Sequence, residues 1–153
     1  LATIGSVAVY YRQRTAQGGS VMRKNFGAKP MCYPMPVFII GTYGADGTPN
    51  AMNAAWGGIS EENQISICVD DGHKTAKNVV KTGAFTVSIA DAAHVVEADY
   101  FGVESGNKVG DKFARSGLTA SKAETVDAPV INEFPLCLEC EFIEYQNIAL
   151  RSV

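Results

Sequence analysis

The sequence predicts a mainly β protein, an antiparallel sheet or barrel with a few short inserted helices. Four apolar runs rich in β-branched or aromatic residues, at 37–40, 65–69, 84–89 and 136–145, read as strands. Asp46-Gly47 stands between two apolar runs, a strong hairpin cue. The strands are not spaced as regular βαβ units, and no G-x-G-x-x-G follows one, so a Rossmann domain is unsupported.

Composition narrows the class further. A chain of 153 residues is most simply one domain, and 46% hydrophobic residues suffice for a core. Thirteen basic residues face sixteen acidic ones, a net charge of −3, which argues against nucleic acid as the main partner. No apolar run approaches the ~18 residues a membrane span needs. Four cysteines in a chain too long to need stapling fit a reduced, cytoplasmic setting.

Residues 1–21 read as a leader or added segment, with an authentic N-terminal strand at 4–11 as the second reading. The domain is placed at 22–153. Three prolines within 30–36 make an extended entry, not a helix. Residues 37–40 and 50–56 form the hairpin. Side chains alternate along a strand, so Asn50, Met52, Ala54 and Trp56 share one face, and Ala51, Asn53, Ala55 and Gly57 the other. The second face is nearly bare. It suits close packing against another element, or a flat ligand lying near the backbone. A third strand follows at 65–69, then a helix over 73–81 stopped by Gly83. Strand 84–89 leads to a helix over 92–100 with Asp91 as its cap. Residues 111–115 give one or two helical turns ended by Gly117, 128–131 are extended, and 136–145 form a long strand.

His73, Lys74 and Thr75 stand at a helix start, where unpaired N–H groups and the positive dipole end favour an anion. Lys77 and Asn78 lie one turn on. An ordinary solvated helix start accounts for the same residues, and Asp70 and Asp71 oppose a phosphate unless they point away. Cys137-Leu138-Glu139-Cys140 has C-x-x-C spacing. On a strand, residues three apart face opposite sides at about 10 Å, too far for a disulfide. No second pair completes a metal site, so no metal is expected. His94 with Glu97 reads as a helix-surface pair, and no catalytic set emerges from spacing.

Tyr33-Pro34-Met35-Pro36-Val37, followed by residues 46–56, closely resembles the flavin reductase-like (flavoredoxin-type) FMN-binding split-barrel family. The match continues through His73-Lys74-Thr75, residues 83–89, Tyr100-Phe101-Gly102, Ser105-Gly106, Asp111-Lys112-Phe113, Gly117-Leu118 and Leu138-Glu139-Cys140. The resemblance implies a split β-barrel, a six-stranded Greek key, that dimerises and holds FMN near the subunit interface. It assigns cofactor contacts to Met35, Ala51, Met52, Asn53, Ala54, Ala55, Trp56, His73, Lys74, Thr75, Asn78 and Lys112. The bare strand face would lie against the isoalloxazine, and His73, Lys74 and Thr75 would hold the phosphate. Asn53 stands where the family usually has Thr or Ser. Cys68 and Asp70 depart from the Ser or Arg common at the end of the third strand. Family members usually run on past residue 145 with a further strand, so the domain is expected to lack its C-terminal part.

The function so implied is an NAD(P)H:flavin oxidoreductase, in which hydride passes from nicotinamide to flavin and on to a second acceptor. A rival reading is an FMN-containing electron carrier with no nicotinamide site. A third is a degenerate barrel that binds no flavin.

Overall fold

The computed structural model describes residues 8–12, 23–28 and 32–145. The chain divides into two compact units, residues 35–144 and a smaller unit built from 1–34 with 145–153. In the smaller unit, β1 (Ala8–Arg12) pairs antiparallel with β2 (Arg23–Ala28), with Tyr11 opposite Lys24. Residues 13–22 and the start of the strand expected at 4–11 lie outside the described residues.

The larger unit is organised by the hairpin of β3 (Phe38–Tyr43) and β4 (Pro49–Ala54). Its turn forms where Asp-Gly placed it. Gly47 takes a φ of 79°, and the Asp46 carboxylate accepts from the Thr48 N–H at 3.0 Å. On the other edge of β3 lies β7 (Ala84–Ile89), and beyond it β10 (Leu136–Glu141), giving an antiparallel sheet ordered β10-β7-β3-β4. Two ribbons complete the β structure: β5 (Gly57–Glu61) with β6 (Gln64–Ile67), and β8 (Ala120–Lys122) with β9 (Pro129–Ile131).

The helices lie where their capping signals put them. Helix α1 (Lys74–Thr82) ends at Gly83, whose φ of 72° lets its N–H reach the Val79 carbonyl. Asp91 caps a single turn of 3₁₀ helix (Ala92–His94) that runs into α2 (Val95–Val103). Helix α3 (Lys112–Arg115) is short.

Alternation along β3 loads both faces of the sheet. Phe38 and Ile40 join Ala54, Val79, Phe85 and Val87 in one cluster. Ile39 points the other way and joins Ala51, Ala98, Phe101, Phe113, Ile131 and Phe134. A sheet covered on both faces buries its central strands fully, and Ile39, Ile40 and Val87 are wholly inaccessible.

Two expectations need correction. The strand expected over 50–56 ends at Ala54. The chain breaks at Ala55 and Trp56 and starts β5 at Gly57, so the alternation does not extend to those residues. Trp56 is half exposed, and its carbonyl accepts from the Cys68 N–H at 2.7 Å. The strand expected over 136–145 stops at Glu141. Strands β2, β5 and β8 were not anticipated. Gly57-Gly58 and Ala120-Ser121-Lys122 carry no apolar alternation, and pairing with β6 and β9 makes them strands.

Candidate functional site

Strand β4, the start of α1, the end of α2 with its following loop, and α3 converge on a cleft of about 260 Å³. Asn50, Met52 and Asn53 come from β4, and His73, Lys74 and Thr75 from the α1 start. Phe101 to Gly106 form the facing wall, and Lys112 closes one side.

The α1 start is open to an anion. His73 is the N-cap with extended backbone, its side chain makes no capping bond, and the first turn carries no acidic residue. The orphan N–H groups and the positive dipole end therefore remain available. The neighbouring acid is turned away, because the Asp70 carboxylate accepts from the Gly72 N–H at 2.7 Å within its own turn. Neither Asp70 nor Asp71 lines the cleft.

Behind this end runs a buried polar chain. Asn50 Nδ2 donates to Thr75 Oγ1 at 3.0 Å and to Thr42 Oγ1 at 3.4 Å, and Asn78 Nδ2 donates to Thr42 Oγ1 at 3.0 Å. The facing wall packs closely. A Cβ at Gly106 would collide with Asn50 Oδ1, and one at Gly102 would come within 3.2 Å of Asn53 Cβ. Asn107 fastens the loop by donating from Nδ2 to the Gly72 carbonyl at 2.9 Å. Asn53 joins β4 to α2 through a 3.2 Å bond from Nδ2 to the Ala98 carbonyl. Lys112 is buried, and burial pushes its pKa down to about 8, with the charge of Glu104 opposing.

Six of the twelve residues expected to contact a cofactor line this cleft: Met52, Asn53, His73, Lys74, Thr75 and Lys112. The others lie elsewhere. Ala51 is wholly buried with Phe101 and Phe113, so at that position the bare face is taken up by helix packing. Ala54 is in the opposite core cluster. Ala55 and Trp56 are exposed beyond the strand end. Met35 precedes β3, and Asn78 stands behind the cleft on Thr42. The expected set omitted Asn50 and the whole facing wall from Phe101 to Gly106, the glycines 102 and 106 included. The glycines were visible in the quoted segments, but their partners are distant in sequence.

Two lysines, a helix start, a buried hydroxyl and glycine-lined walls fit a ligand with a phosphate at one end. Residues 31–150 match the flavin reductase like domain family. The chain belongs to that family, and its mainly β fold is the family's split barrel. It is similar to flavoredoxin of Desulfovibrio vulgaris (Miyazaki F), at 41% identity and a TM-score of 0.78, over 82% of this chain and 69% of that one. Flavoredoxin from Methanosarcina acetivorans matches at 29% identity and a TM-score of 0.69, over 78% of this chain and 63% of that one. A putative flavin reductase with a split barrel domain from Shewanella frigidimarina shares the fold at 20% identity and a TM-score of 0.68, over 75% of this chain and 59% of that one. The chain thus spans less than two thirds of the last two. No curated protein sequence matches it. Among the described residues no helix is long and apolar enough to cross a membrane, and no cluster of three His, Cys, Asp or Glu residues could hold a metal.

Proposed function

We propose that this protein is an FMN-binding redox protein that carries electrons, in the manner of a flavoredoxin. The observation that carries the reading is the convergence of the α1 start, Lys74, Thr75 and Lys112 on one glycine-walled cleft. His73, Lys74 and Thr75 would hold the phosphate with Lys112 as a second cation facing it, and Met52 and Asn53 would meet the remainder of the cofactor. When bound, the flavin supplies the redox chemistry, accepting and passing on electrons. The chain binds it, orients it and sets its potential. The carrier reading is favoured by the 41% identity to a flavoredoxin.

A second reading, an NAD(P)H:flavin oxidoreductase, is favoured by the family's description. The same cofactor site serves both, and the difference lies in the reductant. Purified protein should be yellow and release FMN on denaturation. Anaerobic mixing of FMN-loaded protein with NADPH and NADH separates the readings. Absorbance near 450 nm that persists for minutes but bleaches with dithionite supports the carrier, and rapid bleaching by either nucleotide supports the reductase. A colourless protein that takes up no FMN would remove both. We infer a homodimer from the family resemblance, and the cysteine usage fits a cytoplasmic setting.

A further inference from the structure

We propose that Asn50 is a positioning residue: it fixes the hydrogen-bond sense of Thr75, so that the Thr75 hydroxyl donates into the cleft and selects a ligand ending in an ionised phosphate. The inference rests on the reading of the cleft as the FMN site and deepens it.

The argument is a count of protons in a closed space. Asn50 and Thr75 are 3% and 2% exposed, and Thr42 and Asn78 behind them are also buried. An Asn amide has two N–H donors. Both are occupied in Asn50, one on Thr75 Oγ1 and one on Thr42 Oγ1. Thr42 Oγ1 also accepts from Asn78, so both of its lone pairs are filled by amide N–H groups. The Asn50 oxygen faces Gly106, where a glycine CH₂ stands in place of any side chain. The opposite orientation would aim two N–H groups at that CH₂, which offers no acceptor.

Thr75 Oγ1 therefore receives a proton from Asn50 and must send its own elsewhere. No acceptor for it occurs among the described residues, and Thr75 lines the cleft. A buried donor without an acceptor is costly, and an anionic oxygen in the cleft relieves that cost. A fully ionised phosphate monoester offers only acceptors, whereas the terminal hydroxyl of riboflavin can donate or accept. A hydroxyl donating to an ionised phosphate oxygen makes a stronger bond than one donating to the neutral riboflavin hydroxyl, so this end favours FMN over riboflavin beyond the non-directional attraction of Lys74.

The test measures dissociation constants for FMN and riboflavin by fluorescence quenching, with the thermal shift produced by inorganic phosphate alongside. The wild-type chain should prefer FMN and be stabilised by phosphate. Asn50→Leu and Thr75→Val should each weaken FMN binding by roughly tenfold or more. Both should leave riboflavin within about threefold and lose the phosphate shift. Thr75→Ser should keep the preference. Because Asn50 acts through Thr75, the double variant should lose no more than either single one. Additive losses, or equal losses for FMN and riboflavin, would overturn the proposal and leave Asn50 a scaffold residue. A wild-type chain that binds neither flavin refutes the FMN reading alone. In that case a phosphate shift present in the wild type and absent from both variants still upholds the positioning role, and a shift retained by the variants overturns it.

Discussion

The ammonium of Lys112 lies 2.8 Å from the carbonyl oxygen of Phe101 and 5.8 Å from the centre of the same residue's ring. A carbonyl and a ring face both favour a cation, but neither carries a full negative charge. No carboxylate stands within ion-pair distance of Lys112 among the described residues. Burial dominates, and the pKa falls to about 8. Lys112 lines the cleft, so a bound anion would supply the missing counter-charge.

That arrangement makes FMN binding pH-dependent in a defined direction. Below about pH 8 the free protein already carries the Lys112 proton, so affinity should be flat. Above it, a proton must be taken up on binding. The affinity should fall by up to about tenfold per pH unit until the raised pKa of the complex is reached. Titrations between pH 7 and 9 check this. The fall should vanish in Lys112→Met, whose affinity is lower throughout. A wild-type profile as flat as that of the variant would show that Lys112 does not face the bound anion.

Gly106→Ala tests the facing wall. Its Cβ would collide with Asn50 Oδ1 and lie 3.3 Å from Lys74 Cδ. Asn50 is held by Thr42 and Thr75, so the loop must retreat instead, against the Asn107 bond to Gly72. FMN affinity should drop roughly tenfold, the equivalent of one lost polar contact, in a chain that still folds but melts somewhat lower. Gly110→Ala is the control, since nothing lies within 4 Å of its added Cβ. Equal FMN affinity in the two variants would place the ligand away from this wall.

The features legible in the sequence are those governed by neighbours along the chain. Asp46-Gly47, Gly83 and Asp91 each form the turn or cap their chemistry implies. The His73 to Thr75 half of the cleft was legible for the same reason, because a helix start is a local object. Its other half was not. Gly106 is small because Asn50 stands against it, and Asn53 binds a carbonyl 45 residues away, a relation no periodicity records. Ala51 misled for that reason too. Small residues on a strand suit a ring and a helix equally well, and here α2 and Phe113 cover the position.

Gly41→Ala should damage folding rather than binding. Its Cβ would collide with Thr86 Oγ1 and stand 2.6 Å from the Pro129 carbonyl oxygen, where β9 crosses the sheet. Thr86 itself donates to that carbonyl at 2.6 Å and cannot move aside without losing the bond. Overpacking of this kind costs typically 1–3 kcal/mol. Urea unfolding should show a lowered midpoint at unchanged slope. A midpoint equal to that of the wild type would mean the crossing has slack.

The family resemblance implies a homodimer, and light scattering should give twice the mass of the 153-residue chain. Large apolar side chains that one copy leaves exposed, among them Ile59, Val96, Val103 and Leu136, are consistent with a further buried surface. An FMN-loaded particle of single-chain mass would contradict the expectation.

Cys137 and Cys140 should not pair, and redox function should not depend on them. On β10 they face opposite ways: Cys137 lies across from Ser88 and Cys140 across from Phe85, where it packs against the cluster around Ile40 and Val87. Both are free thiols, and residues three apart on a strand lie about 10 Å apart, beyond disulfide reach. Burial raises both pKa values, that of Cys140 to about 11. A thiol held protonated is a poor nucleophile. Alkylation of the native protein near pH 8 should therefore mark the exposed Cys32 and Cys68 first, with Cys137 and Cys140 reacting only on unfolding. The raised pKa also has a sign for stability. The unfolded thiol ionises near 9 while the folded one does not, so the Cys140 contribution is complete below that pH and is lost as pH rises toward about 11. Cys140→Ala should lose about 1–2 kcal/mol at neutral pH and show a shallower decline over pH 9–11. The double variant Cys137→Ser, Cys140→Ala should still bind FMN. A native peptide two mass units light spanning both cysteines, together with a double variant that no longer carries electrons, would make this a dithiol protein and overturn the strand assignment.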